Sequence, residues 1–176
     1  MINVYNGPMY SGKSKALIKT YEDLTNKSQA LCFKPSKDSR DKSKIKSRDL
    51  NIQIDSIVIK TFTDILKHIK ENTKYIFIDE AQFITGDFNI LQKLSIEKDI
   101  DIYIAGLNKT SNQKPFGTMP YILSIADKIE ILNAECECGE KALYTISKTA
   151  KEKDILIDTG KEYKSVCKKC LLKYKR

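Results

Sequence analysis

Eight residues, Gly7-Pro8-Met9-Tyr10-Ser11-Gly12-Lys13-Ser14, restrict the possible folds more than any other stretch of this chain. A short apolar run at residues 2–5 leads into them and a helical pattern leads out. Strand, glycine loop and helix in that order make the G-x-x-x-x-G-K-S loop, whose backbone N–H groups and helix N-terminus surround the phosphates of a nucleotide. Gly7 and Gly12 allow a close backbone approach that a side chain would block. Within such a loop Pro8, Met9, Tyr10 and Ser11 line the phosphates. Lys13 lies against the β- and γ-phosphates as a point charge, and the Ser14 hydroxyl binds the bridging Mg²⁺. An accidental match would lack both flanks.

A second stretch complements the first. Residues 75–78, Tyr-Ile-Phe-Ile, end in Asp79-Glu80, the pattern of a buried parallel strand that presents carboxylates at its C-terminal tip. Asp79 suits a Mg²⁺-holding role, and Glu80 suits a general base on an attacking hydroxyl or water. Around these two stretches the pattern alternates. Helices are expected over 14–27, 62–71 and 87–97 and through Tyr121, Ile122, Leu123 and Ile125. Strands are expected over 29–33, 56–60, 100–105 and 128–133. The β-α-β order predicts an α/β fold with a parallel sheet and right-handed crossovers. Residues 34–56 are strongly polar and read as a mobile loop, with Arg40 the candidate phosphate contact. His68, the one histidine, falls on the expected 62–71 helix and reads as exposed rather than catalytic.

Composition limits the alternatives. With 176 residues the chain can hold one full domain and a small appended module. No run of about 18 apolar residues is present, and the chain opens directly into a strand, so a cytoplasmic protein without a membrane partner is expected. The net charge is +8, but only Arg40, Arg48 and Arg176 of the 31 basic residues are arginine. That scarcity argues against nucleic-acid binding, although a nucleic-acid-dependent ATPase remains the alternative. Cys32 stands alone, whereas Cys136-x-Cys138 and Cys167-x-x-Cys170 form two close pairs that suit tetrahedral Zn²⁺; free or redox-active thiols are the other reading. The character of the chain changes after residue 133, which suggests a nucleotide-binding domain over 1–133 and a metal-binding domain over 134–176.

Taken together, the 7–14 loop, Ile78-Asp79-Glu80-Ala81-Gln82-Phe83, Lys114-Pro115-Phe116-Gly117 and the stretch from Tyr163 to Cys170 resemble the thymidine kinases of the cellular, bacterial and poxviral type. The resemblance runs in order over nearly the whole chain. It implies a RecA-like P-loop core with a small zinc-ribbon-like domain and a lasso loop. It also implies transfer of the γ-phosphoryl of ATP to the 5′-hydroxyl of thymidine, and of deoxyuridine as a further substrate. A homotetramer and feedback inhibition by thymidine triphosphate come with it. By resemblance Glu80 is the base, Asp79 and Ser14 hold Mg²⁺, and Lys13 binds phosphate. Met9, Phe83, Leu107, Thr145 and Tyr163 line the nucleoside pocket, with Ser111 and Phe116 bordering it, and the four paired cysteines bind zinc. Three positions depart from the family pattern. Leu107-Asn108-Lys109-Thr110-Ser111 stands where the family reads L-D-G-T-F, Asp158-Thr159 stands where a Gly-Gly pair is common, and Ser147 replaces a basic residue. Loss of the aromatic wall at Ser111 is worth roughly 1 kcal/mol of nucleoside affinity and leaves a changed deoxynucleoside preference as the second reading.

Overall fold

The computed structural model describes residues 1–37, 43–47, 52–148 and 163–174. Strand β1 (Ile2–Asn6) buries Ile2, Val4 and Asn6 on one face and runs straight into the 7–14 loop. Helix α1 (Lys13–Glu22) begins at Gly12, which is left-handed at φ 81°. It ends earlier than the 14–27 pattern predicts. The Asn26 side chain accepts from the Ser28 N–H and opens a 3₁₀ turn at Lys27–Gln29, a local hydrogen bond that competes with the helix. Strand β2 (Ala30–Pro35) follows.

The polar stretch expected to be a loop contains a hairpin instead. Strands β3 (Lys44–Ser47) and β4 (Ile52–Asp55) pair antiparallel, with Ile45 opposite Ile54. Their isoleucines are few but occupy alternate positions, so one face of the ribbon is apolar. Ile45 (1% exposed) and Ile54 (6%) pack with Leu17 and Ile18 of α1, and that contact offsets the ordering cost of an otherwise polar segment. The buried Lys34 ties the hairpin to β2 by donating its Nζ to the Lys44 carbonyl at 3.3 Å. Arg40 lies outside the described residues.

Strand β5 (Ile57–Ile59) leads to a 3₁₀ turn, Phe62–Lys67, where an α-helix over 62–71 is expected from spacing. The Asp64 carboxylate accepts the Lys60 and Thr61 N–H groups and closes a tight capping box, while Phe62 and Ile65 are buried. His68 is half-buried, its ring 5.9 Å from that of Phe33, so it is less exposed than its sequence position suggests. Then come β6 (Tyr75–Ile78), α2 (Asn89–Glu97), β7 (Asp101–Gly106), α3 (Met119–Ser124) and β8 (Lys128–Ile131).

Six strands form one sheet in the order β5-β2-β6-β7-β1-β8, every pair parallel. Sheets of this kind are covered on both faces. Ile76 and Ile78 pack with Leu91 and Leu94 of α2 and Met119 and Ile122 of α3; Phe77 turns the other way, toward Leu17 and Ile18. Strand β8 is one of the two edge strands, and all four of its side chains are exposed. Downstream lie β9 (Ala134–Glu135), β10 (Lys141–Ala142), β11 (Tyr144–Ser147), β12 (Tyr163–Val166) and α4 (Lys168–Tyr174). They form two small antiparallel pairs around a cluster of their own, which includes Ala134, Cys136, Ile146, Val166 and Leu171. Among the described residues no helix is long and apolar enough to cross a membrane.

Candidate active site

The 7–14 loop turns at the carboxyl edge of β1, and its geometry explains its glycines. A Cβ on Gly7 would collide with the Leu132 carbonyl and approach Ser11 Oγ to 2.7 Å. Gly12 adopts φ 81°, which favours glycine. Tyr10 also has a positive φ, 61°. Lys13 folds back over the loop and donates its Nζ to the Pro8 carbonyl at 2.6 Å. Burial lowers its pKa, and the Glu80 and Asp79 carboxylates oppose that shift.

Parallel pairing carries Asp79 to the same edge. Its N–H donates to the Phe33 carbonyl at 3.0 Å, so β2 fixes the strand tip. Ser14 Oγ donates to Asp79 Oδ2 at 2.9 Å, which joins the two sequence stretches in one place. Burial, and then the charge of Glu80, push the Asp79 carboxyl up to about 7, while Ser14, the Glu80 N–H and Lys13 pull it down. A buried carboxylate with a hydroxyl beside it offers the hard oxygen ligands that a divalent cation takes.

Glu80 sits in the left-handed region at φ 51°, an uncommon conformation for a residue with a side chain. That backbone breaks away from β6 into a 3₁₀ turn, Ala81–Phe83. Three contacts hold the turn. Thr118 Oγ1 donates to the Ala81 and Ile84 carbonyls at 3.2 and 3.1 Å. Gly117, at φ 52°, lies so close to the Gln82 carbonyl that any Cβ would overlap it. Phe116 meets Phe83 edge to face, with ring centroids 5.3 Å apart. The Lys-Pro-Phe-Gly turn is thus a support for the acidic strand tip.

Gln82 joins the acid to the next strand. Its Nε2 donates to Glu80 Oε2, and its Oε1 accepts the Leu107 N–H at 2.9 Å. Leu107 follows β7 and opens a closed loop in which Phe116 N–H donates to the Asn108 carbonyl at 3.0 Å and Thr110 N–H to the Lys114 carbonyl at 2.9 Å. Gln113 then reaches from that loop to the C-terminal unit. Its Nε2 donates to the carbonyls of Ser111 at 3.1 Å and Thr145 at 2.8 Å. Tyr10 and Tyr163 line one open cleft of about 400 Å³, with Lys148 and Lys164. Gln82, Gln113, Thr118 and Ser165 were not candidates from sequence. Gln82, inside the acidic stretch, and Ser165, inside the stretch from Tyr163 to Cys170, carried a signal that could have drawn attention to them.

The cysteines form the remaining cluster. The Sγ atoms of Cys136, Cys138, Cys167 and Cys170 all lie within 4.8 Å of one another, and those of Cys138 and Cys167 are 3.6 Å apart. Four thiolates around zinc at ~2.3 Å stand ~3.8 Å apart in a tetrahedron, so the quartet fits the ion. The backbone N–H groups of Cys138 and Cys167 pull the Cys136 thiol down, whereas hydrogen bonds among the clustered thiols push Cys170 up, so the four do not share one direction. Cys32 is buried in the sheet away from this group, and burial raises its pKa to about 12.

The thymidine kinase family model matches residues 1–171. A thymidine kinase of Pseudothermotoga lettingae is 32% identical over 167 residues, covering 93% of this chain and 90% of its own. One from Mesomycoplasma hyopneumoniae is 33% identical over 178 residues, with 97% and 94% covered. One from Onion yellows phytoplasma is 36% identical over 171 residues, with 92% and 81% covered. A match over almost the full length, on a chain whose P-loop and acidic strand tip meet at one sheet edge, means that this protein belongs to the thymidine kinase family and is an enzyme that phosphorylates thymidine.

Proposed function

We propose that the family's reaction runs at the carboxyl edge of the sheet, with ATP on the 7–14 loop and the nucleoside between the 107–116 segment and the C-terminal unit. The Ser14–Asp79 hydrogen bond is the observation that carries this reading, because it joins the phosphate loop to the acidic strand. In it, the loop's N–H groups and Lys13 hold the β- and γ-phosphates, and Lys13 exchanges its Pro8 contact for phosphate oxygen. Ser14 and Asp79 would hold Mg²⁺, which neutralises charge on the transferred group. Glu80 accepts the proton of the 5′-hydroxyl as that oxygen bonds to the γ-phosphorus, and the bond from that phosphorus to the bridging oxygen of ADP breaks. Met9, Phe83, Leu107, Ser111, Phe116, Thr145 and Tyr163 surround the nucleoside; Arg40 supplies a further phosphate contact.

The same reading divides the chain into a nucleotide-binding domain, 1–133, and a zinc-binding domain, 134–176. Cys136, Cys138, Cys167 and Cys170 would hold the zinc, whose part is structural. Deoxyuridine is a second acceptor, and thymidine triphosphate a feedback inhibitor. The exposed edge strand β8, with Ile129 and Ile131 outward, is a surface that assembly into a homotetramer would cover. Five free thiols suit a reducing compartment, which supports a cytoplasmic location, and no nucleic-acid partner is part of this reading. Glu80→Gln tests the mechanism. The variant should bind ATP and thymidine as the parent does yet lose transfer by 10²-fold or more; undiminished turnover would remove Glu80 from the chemistry.

A further inference from the structure

Strands β11 and β12 place Thr145 directly opposite Ser165, so their side chains leave the ribbon on the same face. Both are buried, at 7% and 6% exposure, and both reach Met9 of the phosphate loop. The Met9 N–H donates to Thr145 Oγ1 at 2.9 Å, and Ser165 Oγ donates to the Met9 carbonyl. One residue of the loop is therefore held at both of its peptide groups by two hydroxyls from 136 and 156 positions away in sequence. The Met9 N–H and the Pro8 carbonyl belong to a single peptide plane. Thr145 grips one end of that plane and Lys13 Nζ the other, at 2.6 Å. Rotating the plane would break both bonds.

The hydroxyls are themselves anchored. Gln113 Nε2 donates to the Thr145 carbonyl at 2.8 Å, fixing β11 to the loop after β7. Ser165 lies two residues before Cys167, so the cysteine cluster fixes the strand that carries it. We propose that Ser165 and Thr145 are positioning residues for the phosphate loop. The C-terminal unit thereby sets the conformation in which the loop receives ATP, as well as contributing to the nucleoside pocket. The proposal rests on the reading that the 7–14 loop holds the ATP phosphates.

Its test is the affinity for ATP with Mg²⁺, measured by titration calorimetry without nucleoside, for Ser165→Ala, Thr145→Val and Thr145→Ser, with Lys13→Ala as reference. Loss of one buried hydrogen bond at the loop should weaken ATP about five- to tenfold in Ser165→Ala and in Thr145→Val. Thr145→Ser, which keeps the hydroxyl, should stay within about twofold. If Ser165→Ala and Thr145→Val bind ATP as the parent does while Lys13→Ala does not, the proposal is overturned. If Lys13→Ala also binds ATP normally, it is the phosphate-loop reading that fails. Should the hydroxyl variants not fold, amide exchange in the parent protein decides. A Met9 N–H protected before ATP is added supports the clamp, and one that exchanges freely refutes it.

Discussion

Gln82→Leu is the substitution that separates the role of the Glu80 neighbourhood from that of Glu80 itself. Gln82 is 3% exposed and spends both ends of its carboxamide, the donor on Glu80 and the acceptor on the Leu107 N–H. Only this amide orientation matches a carboxylate with a donor and an N–H with an acceptor. Leucine has similar bulk and can serve neither. Leaving the Leu107 N–H without its acceptor costs ~1–3 kcal/mol of stability. For a chain of this length that is a fall of roughly 3–10 °C in melting temperature. The loss of the charge-assisted bond to Glu80 acts on catalysis instead. Glu80 holds a left-handed backbone, and without Gln82 its carboxylate loses one of the contacts that fix it where the proposed mechanism needs the base. A displacement of about 1 Å lowers turnover on the order of 10²-fold. Steady-state kinetics with ATP and thymidine should therefore show a fall in kcat with KM for ATP nearly unchanged. Gln82→Glu should be no better, because it keeps the acceptor for Leu107 but sets a second carboxylate against Glu80. A Gln82→Leu enzyme with the parent's kcat would refute the idea that Gln82 holds the base in place.

Other consequences follow from the same contacts. Gly117→Ala places a Cβ into the Gln82 carbonyl at a left-handed position, so it should cost more than the ~1–2 kcal/mol of the backbone term alone and should lower kcat, as thermal melting and kinetics would show together. Ile45→Ala should destabilise the protein by ~2–4 kcal/mol in denaturant melts, since Ile45 is core to the face of α1 and not part of a solvated loop; a change below ~0.5 kcal/mol would contradict that packing. Asp64 provides a pH test. Lys67 and the backbone N–H groups of Thr61 and Lys60 hold its carboxyl well below the ordinary carboxylate range, so its stabilising effect is full above that range and fades as pH falls through the lowered folded-state value. Asp64→Asn should accordingly melt below the parent at pH 7, and the gap should narrow toward pH 2.

How much of this could be read from the chain alone depends on where each residue finds its partner. The 7–14 loop, Asp79-Glu80 and the cysteine pairs were legible because their chemistry is set by local spacing. The parallel sheet followed from the alternation of apolar runs and helical patterns. The β3–β4 hairpin was hidden because its apolar face, Ile45 and Ile54, has its partner in α1, and a count of polar residues cannot register an interaction with a distant helix. Helix lengths failed for a related reason. Asn26 diverts the Ser28 N–H to its side chain, so after α1 hydrophobic spacing outruns the real element. Gln82 and Ser165 acquire roles only when β6 lies beside β7 and β12 lies against the phosphate loop.

The measurement to make is phosphoryl transfer from labelled ATP with Mg²⁺ to thymidine, deoxyuridine, deoxycytidine, deoxyguanosine and deoxyadenosine, using zinc-replete protein and Glu80→Gln in parallel. Transfer to thymidine above the other nucleosides, lost in Glu80→Gln, is the expected result. Preference for another nucleoside would mean that Ser111 and its neighbours have retuned the pocket. No transfer to any nucleoside by the parent protein, or transfer that survives Glu80→Gln, would contradict the site built here from Lys13, Ser14, Asp79 and Glu80.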